Sequence, residues 1–85
     1  MDTKQKYVRL KQYDTIIIFP EVLNHSDFKH MNPISAGFCY IKKDRVDCFG
    51  ESYSLRMKSD PEDTKIATKQ IFGSRSNVDT SLNWL

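Results

Sequence analysis

The sequence predicts an α+β fold, a small antiparallel sheet of four or five strands with one C-terminal helix packed on it. Three observations predict it. Short runs rich in β-branched and aromatic residues occupy the chain as far as Met57. Two of these runs mirror each other about Lys43 and Asp44, as the arms of a hairpin do. The only strong helix start, Ser59-Asp60-Pro61-Glu62-Asp63, comes after all of them. Strands followed by a helix, rather than alternating with helices, mark the α+β class. The 85 residues suit one domain, 1–85, near the lower limit of what a single core supports, so homo-oligomerisation is expected.

The elements follow in order. Val8 and Leu10 alternate with Tyr7, Arg9 and Lys11, the pattern of a half-buried strand. Thr15-Ile16-Ile17-Ile18-Phe19 is apolar on both faces, reads as a central strand and ends at Pro20, which cannot donate to a ladder. Residues 21–31 form a loop with a short helical turn, stopped by Asn32-Pro33 because a residue before proline avoids the α region.

Residues 34–41 and 46–57 pair about the polar tip Lys42-Lys43-Asp44-Arg45. In a symmetric hairpin Ile41 faces Val46, Cys39 faces Cys48 and Gly37 faces Gly50, with Tyr40–Asp47 and Phe38–Phe49 on the other face. A shift of one residue would scramble these matches, since strand side chains have a period of two. The tip lacks Asn-Gly, which favours a four-residue loop. Gly50 marks a bulge or bend in the long second strand, and a strong bend would curl the sheet toward a barrel. The helix runs to about Phe72 with Gly73 as its stop, and Ile66, Ala67, Gln70 and Ile71 face the sheet. Residues 73–85 read as a polar arm whose apolar end, Trp84-Leu85, docks on this domain or on a neighbouring subunit.

The formal charge of +2 permits an anionic partner without demanding one. It ranks nucleic acid below a small anionic molecule, because duplex-binding modules carry a denser basic footprint. Lys4, Lys6, Arg9 and Lys11 do cluster near the N-terminus, and with Tyr7 and Tyr13 they suit either a phosphate backbone with stacked bases or a guarded sheet edge. No apolar run approaches the roughly 20 residues that span a bilayer. MDTKQKYV lacks an apolar signal core, so a cytoplasmic location with reduced thiols is expected.

Cys39 and Cys48 read first as packing on a strand face, with a cross-strand disulfide or metal binding as alternatives. His25, Asp27 and His30 have ligand chemistry but not the spacing that sets two histidines on one helix face. Neither set includes an oxyanion arrangement, so no catalytic residue, metal ligand or cofactor is assigned. The glycines at 37 and 50 lie among small hydroxyl residues. A close backbone approach there would let Ser35, Ser52 and Ser54 meet a phosphate or base, with Arg56 adding a charge-assisted bond. His25, Ser35, Gly37, Gly50, Ser52, Ser54 and Arg56 are therefore the candidate ligand-binding residues. A bulged strand with a polar solvent face is the competing explanation.

Several pieces occur together: a strand ending Phe19-Pro20, then His25-Ser26-Asp27, Ser35-Ala36-Gly37-Phe38, Cys48-Phe49-Gly50-Glu51-Ser52 with Ser54-Leu55, and a helix opening Pro61-Glu62-Asp63. Over residues 15–72 this resembles small uncharacterised accessory proteins of bacteriophages and prophages. The resemblance implies a setting rather than an activity. Such proteins often neutralise a host component, including CRISPR effectors or the cyclic nucleotides of immune signalling. The expectation is thus a non-enzymatic module that sequesters an anionic ligand such as a nucleotide. The alternatives are a protein–protein inhibitor of a host defence complex and, behind it, a small metal- or cysteine-dependent hydrolase.

Overall fold

The computed structural model describes residues 3–73, the side chain of Tyr13 excepted. The arm from 74 to 85, with Trp84 and Leu85, lies outside the described residues. Four strands, β1 (Lys4–Leu10), β2 (Ile16–Phe19), β3 (Pro33–Ile41) and β4 (Val46–Phe49), form an antiparallel sheet in the order β2-β1-β3-β4. A two-stranded ribbon, β5 (Glu51–Ser52) with β6 (Met57–Lys58), follows, and then α1 (Pro61–Thr68), which continues as a π-helical turn over Lys69–Gly73. The fold is α+β, and the sheet is open rather than closed into a barrel. Among the described residues no helix is long and apolar enough to cross a membrane.

The sheet is covered on both faces, which reverses the expected roles of the first two strands. β1 is central and β2 is an edge. On one face Tyr7, Ile16, Cys39 and Val46 pack with Ala67 of α1; on the other Val8, Leu10, Phe19 and Ala36 pack with Phe28, Leu55 and Met57. β1 alternates because Arg9 is polar, but Arg9 is itself buried. β2 is apolar throughout because both covers reach the edge, with Ile18 in the first cluster and Ile17 in the second.

The hairpin has the predicted register: Phe38–Phe49, Cys39–Cys48, Tyr40–Asp47 and Ile41–Val46. Its four-residue loop is closed by Lys42 N–H donating to the Arg45 carbonyl at 2.7 Å. The second arm is not one long strand, however. Gly50 has φ +78°, and beyond it the chain doubles back so that Glu51 pairs with Lys58 and Ser52 with Met57. The Tyr53, Leu55, Met57 alternation belongs to this turn, which period-two reading cannot separate from a strand.

α1 starts where its capping signals lie. Asp60 accepts from Glu62 N–H at 2.8 Å, and Asp63 accepts from Asp60 N–H at 2.9 Å. Asp63 is fully buried and binds the sheet as well, accepting from the Tyr7 hydroxyl and from Arg9 Nη1 at 3.1 Å. Arg9 also grips Asp14 at 2.9 Å. Burial and the Asp63 bond push the Tyr7 phenol far above its ordinary range, so it stays a donor.

The same helical segment closes both sheet edges. Thr64 and Thr68 accept from Cys48 N–H at 2.8 Å and Val46 N–H at 2.9 Å. Four helical residues rise about 6 Å. Two strand residues rise about 6.8 Å, so the hydroxyls fall beside alternate outward amides of β4. At the opposite edge the Gln70 amide spans Ile16, accepting from its N–H at 2.9 Å and donating to its carbonyl at 2.7 Å. Bonds of this kind block pairing with another chain.

Candidate ligand-binding site

The face away from α1 has a cover in two pieces, and a cleft of about 190 Å³ lies between them. A 3-10 helix, His25–Met31, supplies one side and the β5–β6 ribbon the other. Lys6 and Phe38 of the sheet lie between them, while Asn24, His25, Glu51, Ser52, Tyr53 and Ser54 complete the lining.

Each group has a local reason for its place. Asp27 accepts from Asn24 N–H at 3.1 Å and so fixes the helix entry. That sets His25 edge-on to Phe19 and Phe38, with ring centroids 5.6 Å away in both cases. Its Nε2 lies 2.7 Å from the Gly37 carbonyl, which only a protonated Nε2 can satisfy. Burial, outweighing that bond, lowers the His25 pKa below the ordinary 6.5, and the nearby Lys6 charge adds to the effect. A neutral imidazole with its proton on Nε2 follows. Lys6 Nζ donates to the Leu23 carbonyl at 2.8 Å, holding a cation at the rim. Ser52 accepts from Leu55 N–H at 3.2 Å and lies 3.3 Å from the Ser54 hydroxyl, so the ribbon turn brings both serines together.

Three of the seven candidate residues therefore meet in one place: His25, Ser52 and Ser54. Arg56 lies next door, with φ +56°, beside a second depression that it shares with Ser54, Lys29 and Asn32. Ser35 is elsewhere. It pairs with Arg9 and is buried, and its hydroxyl has no hydrogen-bond partner among the described residues. Gly37 and Gly50 make no ligand cradle. A side chain on Gly37 would run into the Phe49 carbonyl, and one on Gly50 would meet Phe38 at 3.1 Å. Close packing against the Phe49 backbone accounts for Gly37, and the positive φ of +78° with the Phe38 ring alongside accounts for Gly50. Sequence reasoning offered Lys6 only as one of the N-terminal lysines near an anion, and missed Asn24, Phe38, Glu51 and Tyr53. Phe38 was legible, since the register already set it opposite Phe49 on the outward face. Glu51 and Tyr53 depend on the doubled-back ribbon, and Asn24 on the entry of the 3-10 helix.

The remaining chemical groups stay apart. His25 lines the cleft, the Asp27 carboxylate is occupied at Asn24, and His30 is exposed on the far turn of the helix. Among the described residues no group of three or more His, Cys, Asp or Glu side chains is arranged for a metal. Cys39 and Cys48 are free thiols facing one another. Burial pushes them up to about 11 and about 12 respectively, far from the thiolate that a nucleophile requires.

Beyond the cleft, Phe38 begins a row of rings along the β3–β4 hairpin. Phe38 and Phe49 are 6.2 Å apart and Phe49 and Tyr40 5.4 Å, with planes within 29° and 19° of parallel. Lys4 Nζ sits 4.9 Å from the Phe38 centroid and Lys42 Nζ 5.4 Å from that of Tyr40. The rings stay partly exposed. Tyr7, which the sequence offered for stacking, is buried and takes no part.

No protein-family model, no curated protein and no solved structure matches this chain.

Proposed function

We propose that this protein is a non-enzymatic binding module that sequesters an anionic small ligand, a nucleotide or cyclic nucleotide, in a phage or prophage setting. The observation that carries the reading is the convergence of Lys6, His25, Ser52, Tyr53 and Ser54 on one cleft beside an aromatic wall, Phe38. Lys6 and the Ser54 hydroxyl suit a phosphate, Phe38 and Tyr53 suit a base, and Glu51 suits a sugar hydroxyl or an exocyclic amine. Pockets that enclose a drug-sized ligand run from about 300 Å³ upward, so a cleft of about 190 Å³ would hold one end of a nucleotide. The non-enzymatic part of the reading is supported by the raised thiol pKa values and by the commitment of His25 to a backbone carbonyl.

Calorimetric titration with a panel of nucleotides and cyclic nucleotides tests it. Binding is expected, weakened about tenfold or more in Lys6→Gln through loss of a charge-assisted bond. A silent panel would sink the reading.

The second reading is a protein–protein inhibitor of a host defence complex. It draws on Tyr53 and Val22, which are 85% and 84% exposed. Native mass spectrometry separates the two readings and gives the oligomeric state. A small mass released on denaturation favours the ligand, whereas a clean protein mass with no ligand favours the inhibitor.

A further inference from the structure

We propose that the ligand runs on from the cleft into the second depression, where Lys29 and Arg56 hold a second phosphate. Its class is then a dinucleotide with two phosphates rather than a mononucleotide. The inference rests on the nucleotide reading of the cleft and names the class of ligand. The two hollows adjoin, since Ser54 lines both. Each lies between the 3-10 helix and the ribbon. His25, at the start of the helix, lines the cleft, while Lys29 and Asn32, toward its end, line the second depression. At about 2 Å per residue, the step from His25 to Lys29 covers about 8 Å. Size agrees with this extension. The cleft of about 190 Å³ holds one end of a nucleotide, and the second depression of about 320 Å³ reaches the range of ligand-enclosing pockets. A ligand that fills both exceeds a mononucleotide.

Charge identifies what occupies the second hollow. Its lining contains Lys29 and Arg56 and no carboxylate. Among the described residues neither cation is in an ion pair: Glu21 is held by Lys4, Asp14 and Asp63 by Arg9, and Asp44 and Asp47 by Arg45. A guanidinium grips a phosphate through parallel N–H bonds, and the Lys29 ammonium, the Asn32 amide and the Ser54 hydroxyl add further donors. The backbone supports the same reading. Arg56 N–H donates to the Tyr53 carbonyl at 3.3 Å, closing a turn in which Arg56 takes φ +56°. That left-handed conformation suits glycine or asparagine, and Asn32, on the same depression at φ +57°, is such a case. An arginine there costs conformational energy, for which a guanidinium placed at an anion site gives the reason. At the cleft end Lys6 donates to the neutral Leu23 carbonyl, and an ammonium has further hydrogens for the first phosphate.

Calorimetry with three probes tests the proposal: a dinucleotide bearing a terminal phosphate, the dinucleoside monophosphate that lacks it, and a mononucleotide, each prepared with every common base. The first should bind at least about tenfold more tightly than the other two, because only it brings a phosphate to each hollow. Arg56→Gln and Lys29→Gln should each cut that advantage about fivefold or more. Both side chains are exposed, and thermal unfolding confirms that the variants are folded. Equal affinity for the dinucleotide and the dinucleoside monophosphate overturns the second phosphate site and leaves the cleft reading standing. So does a dinucleotide advantage that survives unchanged in both variants. Silence from all the probes overturns both readings.

Discussion

The two faces of the sheet are covered in different ways. On the α1 face one continuous helical segment is fastened by directional bonds: Asp63 to Tyr7 and Arg9, Thr64 and Thr68 to β4, and Gln70 to β2. On the opposite face a short 3-10 helix and a two-stranded ribbon rest mainly on apolar contacts with Phe19, Val8 and Ala36. A cover in two pieces leaves a gap, and that gap is the cleft. The directional bonds thus gather on one face of the sheet, and the cleft lies on the other.

The largest test of this contrast is Asp63→Ala. It leaves the Tyr7 hydroxyl and the Asp60 N–H without their acceptor and takes from buried Arg9 its buried partner, leaving it the exposed Asp14, and should cost about 3–5 kcal/mol in urea denaturation. A loss below about 1 kcal/mol, the range of a surface pair, would mean the helix face is not locked by this network. Next comes Gly37→Ala, in which the new methyl meets the Phe49 carbonyl. A cost of about 1–3 kcal/mol is expected from overpacking against backbone, with stabilisation as the contrary outcome. Gln70→Ala opens the β2 edge by removing two bonds to Ile16. It should cost about 0.5–1.5 kcal/mol per bond and raise light scattering at high concentration as the edge becomes available.

The smallest effect concerns the cleft face and follows from His25. Its folded pKa lies below the ordinary 6.5, so the unfolded chain takes up the proton more readily. Stability from this residue is present at neutral pH and declines as pH falls through about 6.5. Thermal midpoints of wild type and His25→Gln, compared from about pH 7.5 to 5.5, should converge on acidification. A constant gap between them would remove His25 from the pH response.

Much of the helix face was legible in the residues themselves. The capping signals at Asp60 and Pro61 and the apolar set Ile66, Ala67 and Ile71 are local, and local chemistry decides them. The role of Asp63 as partner to Tyr7 was not legible, because those residues are 56 positions apart and nothing in either neighbourhood announces the other. The cleft was half legible. His25, Ser52 and Ser54 were singled out for their chemistry, but Ser35 was grouped with them by its nearness to Gly37 in sequence, and strand alternation puts it beside Arg9 instead.

By itself the sequence determined the hairpin register, since symmetric pairing of Cys39–Cys48 and Ile41–Val46 admits no one-residue slip. It likewise determined the start of α1, through side chains that satisfy their own neighbours' amides. Only the tertiary structure decided which strand is central, because burial on both faces erases the polar–apolar alternation that marks an edge. It also decided that the chain doubles back after Gly50. A positive φ permits a reversal there, but the pairing of Glu51 with Lys58 and the packing of Leu55 and Met57 on the sheet carry it out, and so form one wall of the cleft.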